Sequence, residues 1–138
     1  GNAGVAAQIM QTQYSIGYVG YAYAAQNHMA ITKMKNYDQH IVTASSTSFA
    51  AAAKNAKWSA ANGFYLILTN QPGADSWPIV ATTFILVPQT AREPKVKQRI
   101  LAFFKWCYQH GAATANKLDY VAIPQAVYQR ILTAMNIQ

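Results

Sequence analysis

Acidic side chains are nearly missing: Asp38, Asp75, Glu93 and Asp119 are the only four in 138 residues. No two stand together, so hydrolysis by a pair of carboxylates has little to build on. Cysteine is scarcer still. Cys107 stands alone, which rules out an internal disulfide and a cysteine zinc cluster; inside an apolar helical pattern it reads as a small buried hydrophobe. His28, His40 and His110 are scattered, with no Glu or Cys at metal-binding spacing around them. No metal and no cofactor are expected. Ser15 and Ser76 lack the glycine-flanked elbow of a serine nucleophile, so no catalytic residue is expected either. Long apolar runs are absent too: the stretches 64–68 and 84–87 have the length of a strand, far short of the 18 or so residues that span a bilayer. Gly1 opens no secretory leader, so a mature or excised piece of a longer protein is expected.

What remains is apolar and basic. Hydrophobic residues make up 52% and charged residues 11%, against about 25% charged in an ordinary soluble domain. Such a chain folds, or belongs to something that folds. Eleven Lys and Arg leave a net charge of +7, which raises nucleic acid as a partner. The bases are not clustered: Lys33/Lys35, Lys54/Lys57 and Lys95/Lys97/Arg99/Lys105, eight of the eleven, fall in three separate segments, and no nucleic-acid-binding motif accompanies them. A solvated basic surface is the simpler reading, and no nucleic acid is expected.

Along the chain, helical and strand-like signals alternate, as in an α/β protein. Asn2 reads as the N-cap of a first helix faced by Val5, Ile9 and Met10. Residues 15–19 read as a short buried strand, and Gly20 as a sharp turn into an Ala- and Tyr-rich helix over 21–26. Residues 29–34 suggest another strand. One of Ser45 to Ser48 should cap an Ala-rich helix over 49–56. Residues 64–68 fit a strand or a helical turn equally well. After the loop signal at 71–76 the character changes. Residues 81–87 predict a buried strand. Val96, Ile100, Phe103, Phe104 and Cys107 predict an amphipathic helix over about 94–109 packed on a sheet, with Pro94 in its first turn and Gly111 at its end. A buried Phe103 would cost on the order of 3–5 kcal/mol to truncate. A short helix over 112–118 and a last one from Pro124, with Val127, Ile131 and Met135 four apart, complete the chain.

Three stretches carry a resemblance. Gly1-Asn2-Ala3-Gly4-Val5-Ala6-Ala7 with Ser15-Ile16-Gly17-Tyr18-Val19-Gly20-Tyr21-Ala22-Tyr23-Ala24 is similar to a run in the periplasmic phosphate-binding proteins of ABC uptake systems. Asp75-Ser76-Trp77-Pro78-Ile79 through Thr82-Thr83-Phe84-Ile85-Leu86-Val87 resembles a second. Phe103-Phe104-Lys105-Trp106-Cys107-Tyr108, Gly111 and Leu118-Asp119-Tyr120-Val121-Ala122-Ile123-Pro124 resemble that family's ending. The resemblance implies the C-terminal portion of a two-lobed α/β periplasmic binding protein of type II. Residues 1–75 would then be the remainder of the second lobe, 76–80 a hinge crossover, and 81–138 the C-terminal part of the first lobe. It also implies a periplasmic, non-enzymatic protein that captures inorganic phosphate and delivers it to the membrane subunits of an ABC permease. Trp77 and Trp106 would be core and hinge residues.

Two departures qualify that reading. Gly20 stands where the family often carries Glu. The family's phosphate ligands, in a Thr/Ser-rich loop, an Asp and an Arg followed by a Ser-Gly-Thr helix start, lie upstream of the Gly1-Asn2 motif and have no counterpart here. No phosphate ligand is therefore expected in this segment, and Asn2, Gly4 and Tyr21 are the residues expected nearest the cleft. Asn2 and Gly4 read first as a simple helix cap, with indirect support of a cleft as the alternative. Tyr18, Tyr21 and Tyr23 read first as packing residues rather than as hydroxyl donors. The alternatives are a non-binding structural or interaction fragment, which would self-associate, and a cationic surface-binding module, which rests on charge alone.

Overall fold

A computed structural model describes residues 1–88 and 93–135. Six α-helices are described: α1 (Asn2–Gln11), α2 (Tyr21–Gln26), α3 (Ser46–Asn55), α4 (Pro94–His110), α5 (Ala112–Lys117) and α6 (Gln125–Ala134). The strands β1 (Met34–Lys35) and β2 (Ile41–Val42) pair antiparallel, with Met34 opposite Val42 and Lys35 opposite Ile41. A single turn of 3₁₀ helix covers Ala60–Asn62.

Local chemistry explains where the helices start and stop. The Ser45 hydroxyl accepts the Ser48 N–H at 3.1 Å, while Ser48 Oγ accepts the Ser45 N–H at 3.0 Å, a reciprocal cap that fixes the entry to α3. Pro94 occupies the first turn of α4, where its missing N–H costs nothing. The Gly111 N–H closes the other end on the Cys107 carbonyl at 2.8 Å. The 3₁₀ turn begins at Ser59, whose Oγ accepts the Ala61 N–H. It ends at Gly63, whose φ of 64° is a left-handed conformation that a side chain would resist.

One apolar cluster holds these pieces together. Ala53, Ala56, Trp58, Phe64, Leu68 and Val127 are buried, with Leu66, Val80, Ile123 and Ile131 packed around them. Trp58 donates its indole N–H to the Ala53 carbonyl at 2.7 Å, and Arg130 of α6 donates to the Trp58 carbonyl at 2.7 Å. A main-chain carbonyl thus fastens α6 over the 3₁₀ turn. Tyr108 of α4 stacks on Tyr128 of α6, ring centres 5.4 Å apart. Burial raises the Tyr108 phenol pKa, with the neighbouring Cys107 adding to the shift.

Five expectations from the sequence are corrected. Residues 81–87 form no ladder among the described residues and are mostly exposed, with Leu86 at 92%. Residues 15–19 likewise lack strand partners, and of 29–34 only Met34 joins the β1–β2 pair. The helix over 94–110 forms as expected, yet no residue of α4 is buried, and its Val96, Ile100, Phe103 and Trp106 face outward instead of onto a sheet. Residues 64–68 are neither strand nor helix, although Phe64 and Leu68 anchor the core. The physical reason is shared: a strand is stabilised by hydrogen bonds to a neighbour, and among the described residues no strand pairs with 15–19, 29–33, 64–68 or 81–87, so α4 has no sheet of theirs to pack on.

Candidate functional site

The residues expected nearest a cleft fall at the junction of α1 and α2. Asn2 is the first residue of α1 and Gly20 the N-cap of α2. The Gly20 N–H donates to Asn2 Oδ1 at 3.0 Å. The cap reading of Asn2 is therefore corrected: Gly1 is the N-cap, no side chain caps α1, and the Asn2 amide is drawn to a backbone 18 residues away. That single bond sets the starts of two helices side by side.

Both starts lack an acidic residue in the first turn, and neither has a side-chain cap. The first N–H groups of a helix have no intrahelical acceptor, and the helix dipole adds about half a positive charge at each N-terminus. Two such ends meeting at Asn2 and Gly20 make a surface that favours anions. Asn2 and Gly20 are exposed and Tyr21 is half-buried, so attraction here competes with water and salt.

Asn2 and Tyr21 are thus brought together through Gly20. Gly4 is not: it lies exposed on α1, and a Cβ placed there would meet nothing within 4 Å. Tyr21 does what a packing residue does. Its ring stands edge-on to Phe49 at 5.1 Å, and Phe49 in turn meets buried Trp77 at 6.3 Å, an aromatic run joining α2, α3 and the loop before 77. Tyr23 is half-buried beside Gly20, whereas Tyr18 is 89% exposed and packs on little. Trp106, expected in the core or hinge, is exposed and meets only His110 by ring contact.

Replacing Gly20 tests this electrostatic picture. Its φ of −58° and ψ of 139° suit any residue, and an added Cβ would meet Tyr23 and Asn2 at 3.6–3.9 Å, ordinary contact. Gly20→Glu is expected to stabilise the chain by about 0.5–1 kcal/mol, from lower unfolded-state entropy and a carboxylate at two helix starts. Urea unfolding at low and high salt is the measurement. The gain should shrink in 1 M salt, and a net loss at low salt would contradict the convergence of the two helix ends.

Sequence reasoning missed one feature, an open groove of about 490 Å³ lined by Ala60, Phe64, Gln129, Arg130 and Thr133 among others. Its cation, Arg130, is already committed to the Trp58 carbonyl, and nothing in the spacing around 130 announces that bond. Among the described residues no group of three or more His, Cys, Asp or Glu could hold a metal ion, and no helix is long and apolar enough to cross a membrane.

No family model matches the chain. Individual proteins do. The phosphate-binding protein PstS of Pasteurella multocida is 45% identical over 131 residues, covering 95% of this chain and 38% of its own length. The proteins of the same name from Xylella fastidiosa and Haemophilus influenzae are each 46% identical over 131 residues, covering 36% and 39% of their lengths. The chain is a PstS-like segment, alike to those proteins over nearly all of its own residues and spanning less than two-fifths of theirs.

Proposed function

We propose that this chain is the C-terminal part of a periplasmic phosphate-binding protein, which captures inorganic phosphate without chemical change and hands it to an ABC permease. The similarity to three phosphate-binding proteins across 95% of the chain carries the reading. In it, residues 1–75 complete the second lobe, 76–80 cross the hinge and 81–138 finish the first lobe. Affinity in such a clamp comes from many N–H, O–H and guanidinium donors converging on a desolvated anion, and the principal donors belong to the part of the protein outside this segment. The α1–α2 junction contributes a field at the cleft rather than direct ligands, with Asn2 and Tyr21 fixing the two helix starts.

By itself the chain is expected to bind phosphate only in the millimolar range, about −4 kcal/mol, because two exposed helix ends and a diffuse +7 charge supply attraction without desolvation. That binding should fade with salt, since exposed charges are screened beyond about 8 Å at physiological ionic strength. Titration calorimetry of the chain at 150 mM salt decides the matter. A micromolar constant would place a complete anion site within these residues and overturn the division of labour.

A further inference from the structure

Asn62-Gly63 is the one Asn-Gly pair in the sequence. The side-chain carbonyl carbon of an asparagine lies within reach of the next residue's main-chain nitrogen, and that residue's Cβ normally crowds the approach. Gly63 has no Cβ, and one built there would meet nothing within 4 Å. Both members of the pair are exposed to water. Every other asparagine precedes a residue that carries a Cβ.

The turn that holds the pair is slight. It is the single 3₁₀ turn Ala60–Asn62, with hydrogen bonds poorer than those of an α-helix. The Gly63 N–H donates to the Ala60 carbonyl at 3.1 Å, and Asn62 Nδ2 donates to the Tyr65 carbonyl at 2.9 Å. Short exposed elements open locally at small free-energy cost. Opening hands both groups to water and leaves the Asn62 amide free to swing toward the Gly63 nitrogen. Immediately beyond, the chain is fixed. Phe64 is 9% exposed in the cluster with Trp58 and Leu68, and its φ of 61° is left-handed like that of Gly63.

We propose that Asn62 is a site of spontaneous covalent modification by water, through a cyclic imide formed with Gly63. Hydroxide takes the Gly63 amide proton, and the nitrogen attacks Asn62 Cγ. The N–Cγ bond forms as the Cγ–Nδ2 bond breaks, and Nδ2 takes up a proton and leaves as ammonia. Water then opens the ring. Cleavage of the N–Cγ bond leaves aspartate at position 62. Cleavage between the Gly63 nitrogen and the main-chain carbonyl of residue 62 leaves isoaspartate, with the backbone routed through the side chain. The sum is an amide and water giving a carboxylate and ammonium, with no oxidant or reductant. Either product puts a negative charge on the turn and loses the donor to the Tyr65 carbonyl. Isoaspartate also lengthens the main chain by a methylene just before Phe64, a residue that anchors the core.

The test holds the purified chain at mildly alkaline pH for days and maps its peptides. A mass gain of about 1 Da, with label from an isoaspartyl methyltransferase, is expected on the peptide containing 62–63. It should accumulate about tenfold or more faster than at Asn70, which is exposed but precedes Gln71. Unfolding the chain in urea should speed it further by about tenfold, since the turn no longer holds the Gly63 N–H. Asn62→Gln should abolish the signal at that position, because its longer side chain must close a larger and slower ring. The isoaspartyl form should unfold at lower urea than the Asn62→Asp variant, whose main chain keeps its length. Aspartate without isoaspartate would mean direct hydrolysis and overturn the cyclic imide. Equal rates at 62 and 70, or no modification at 62, would overturn the site itself. A rate indifferent to urea would overturn the protection by the turn, and equal urea midpoints for the isoaspartyl form and Asn62→Asp would overturn the link to Phe64.

Discussion

Leu68→Ala is expected to lower the stability of the free chain by about 2–5 kcal/mol, while Phe103→Ala changes it by less than about 1. The ranking runs against side-chain size, and burial decides it. Leu68 is 1% exposed at the centre of the cluster with Trp58, Phe64 and Val127, whereas Phe103 is 58% exposed and meets Phe104 on its own helix. Half of the buried apolar residues described are alanines, which bury little area each, so the few large side chains carry most of the hydrophobic stabilisation. Removing one leaves a cavity that alanines cannot collapse into. The measurement is the urea midpoint of each variant. Equal midpoints for the two variants of the free chain would contradict the outward orientation of α4.

The contrast between those residues shows what a sequence can reveal alone. Helix boundaries are settled within a few residues of chain: Ser45 with Ser48, Pro94, Gly111 and Pro124 all act where their chemistry places them. The periodicity of 94–110 made α4 legible, whereas the β-rich composition of 81–87 pointed to a strand that does not form among the described residues. Neither pattern says what lies opposite. A helix satisfies its own backbone, so α4 forms without its cover, whereas the ladder expected at 81–87 requires a partner that no described residue supplies. The site followed the same rule. The aromatic packing of Tyr21 could be anticipated from its type, but the meeting of two helix starts could not, because the Asn2–Gly20 bond joins residues 18 positions apart. Asn2 was a sound cap by propensity and lost that role to a tertiary donor, the Gly20 N–H.

Asn36 should prove the most sensitive polar residue in the chain, with Asn36→Ala costing on the order of 2–4 kcal/mol. It follows β1, is 3% exposed, and uses both ends of its amide. Oδ1 accepts the His40 N–H at 3.0 Å, closing the β1–β2 turn. Nδ2 reaches the carbonyls of Gly73, Ala74 and Ser76 at 3.1, 2.7 and 3.2 Å. The loop it holds is pinned elsewhere by Asp38 Oδ2, which accepts the Gly73 N–H, and by Asn55, which donates to Ser76 Oγ. Gly73 itself has a φ of 113°, and a Cβ there would run into the Asn55 amide. These bonds hold the loop in place, so its carbonyls turn toward water after the loss of Asn36 only by breaking them. Asn36→Asp sharpens the test. The isosteric carboxylate would face three carbonyl oxygens with no proton to offer, so the folded state favours its protonated form and raises its pKa above the unfolded value of about 3.9. The penalty should then be small below about pH 4 and grow as pH rises through the folded pKa. Unfolding free energies of wild type and Asn36→Asp measured from pH 4 to pH 8 should diverge upward in pH. Parallel curves would mean that the amide donates to none of the three carbonyls.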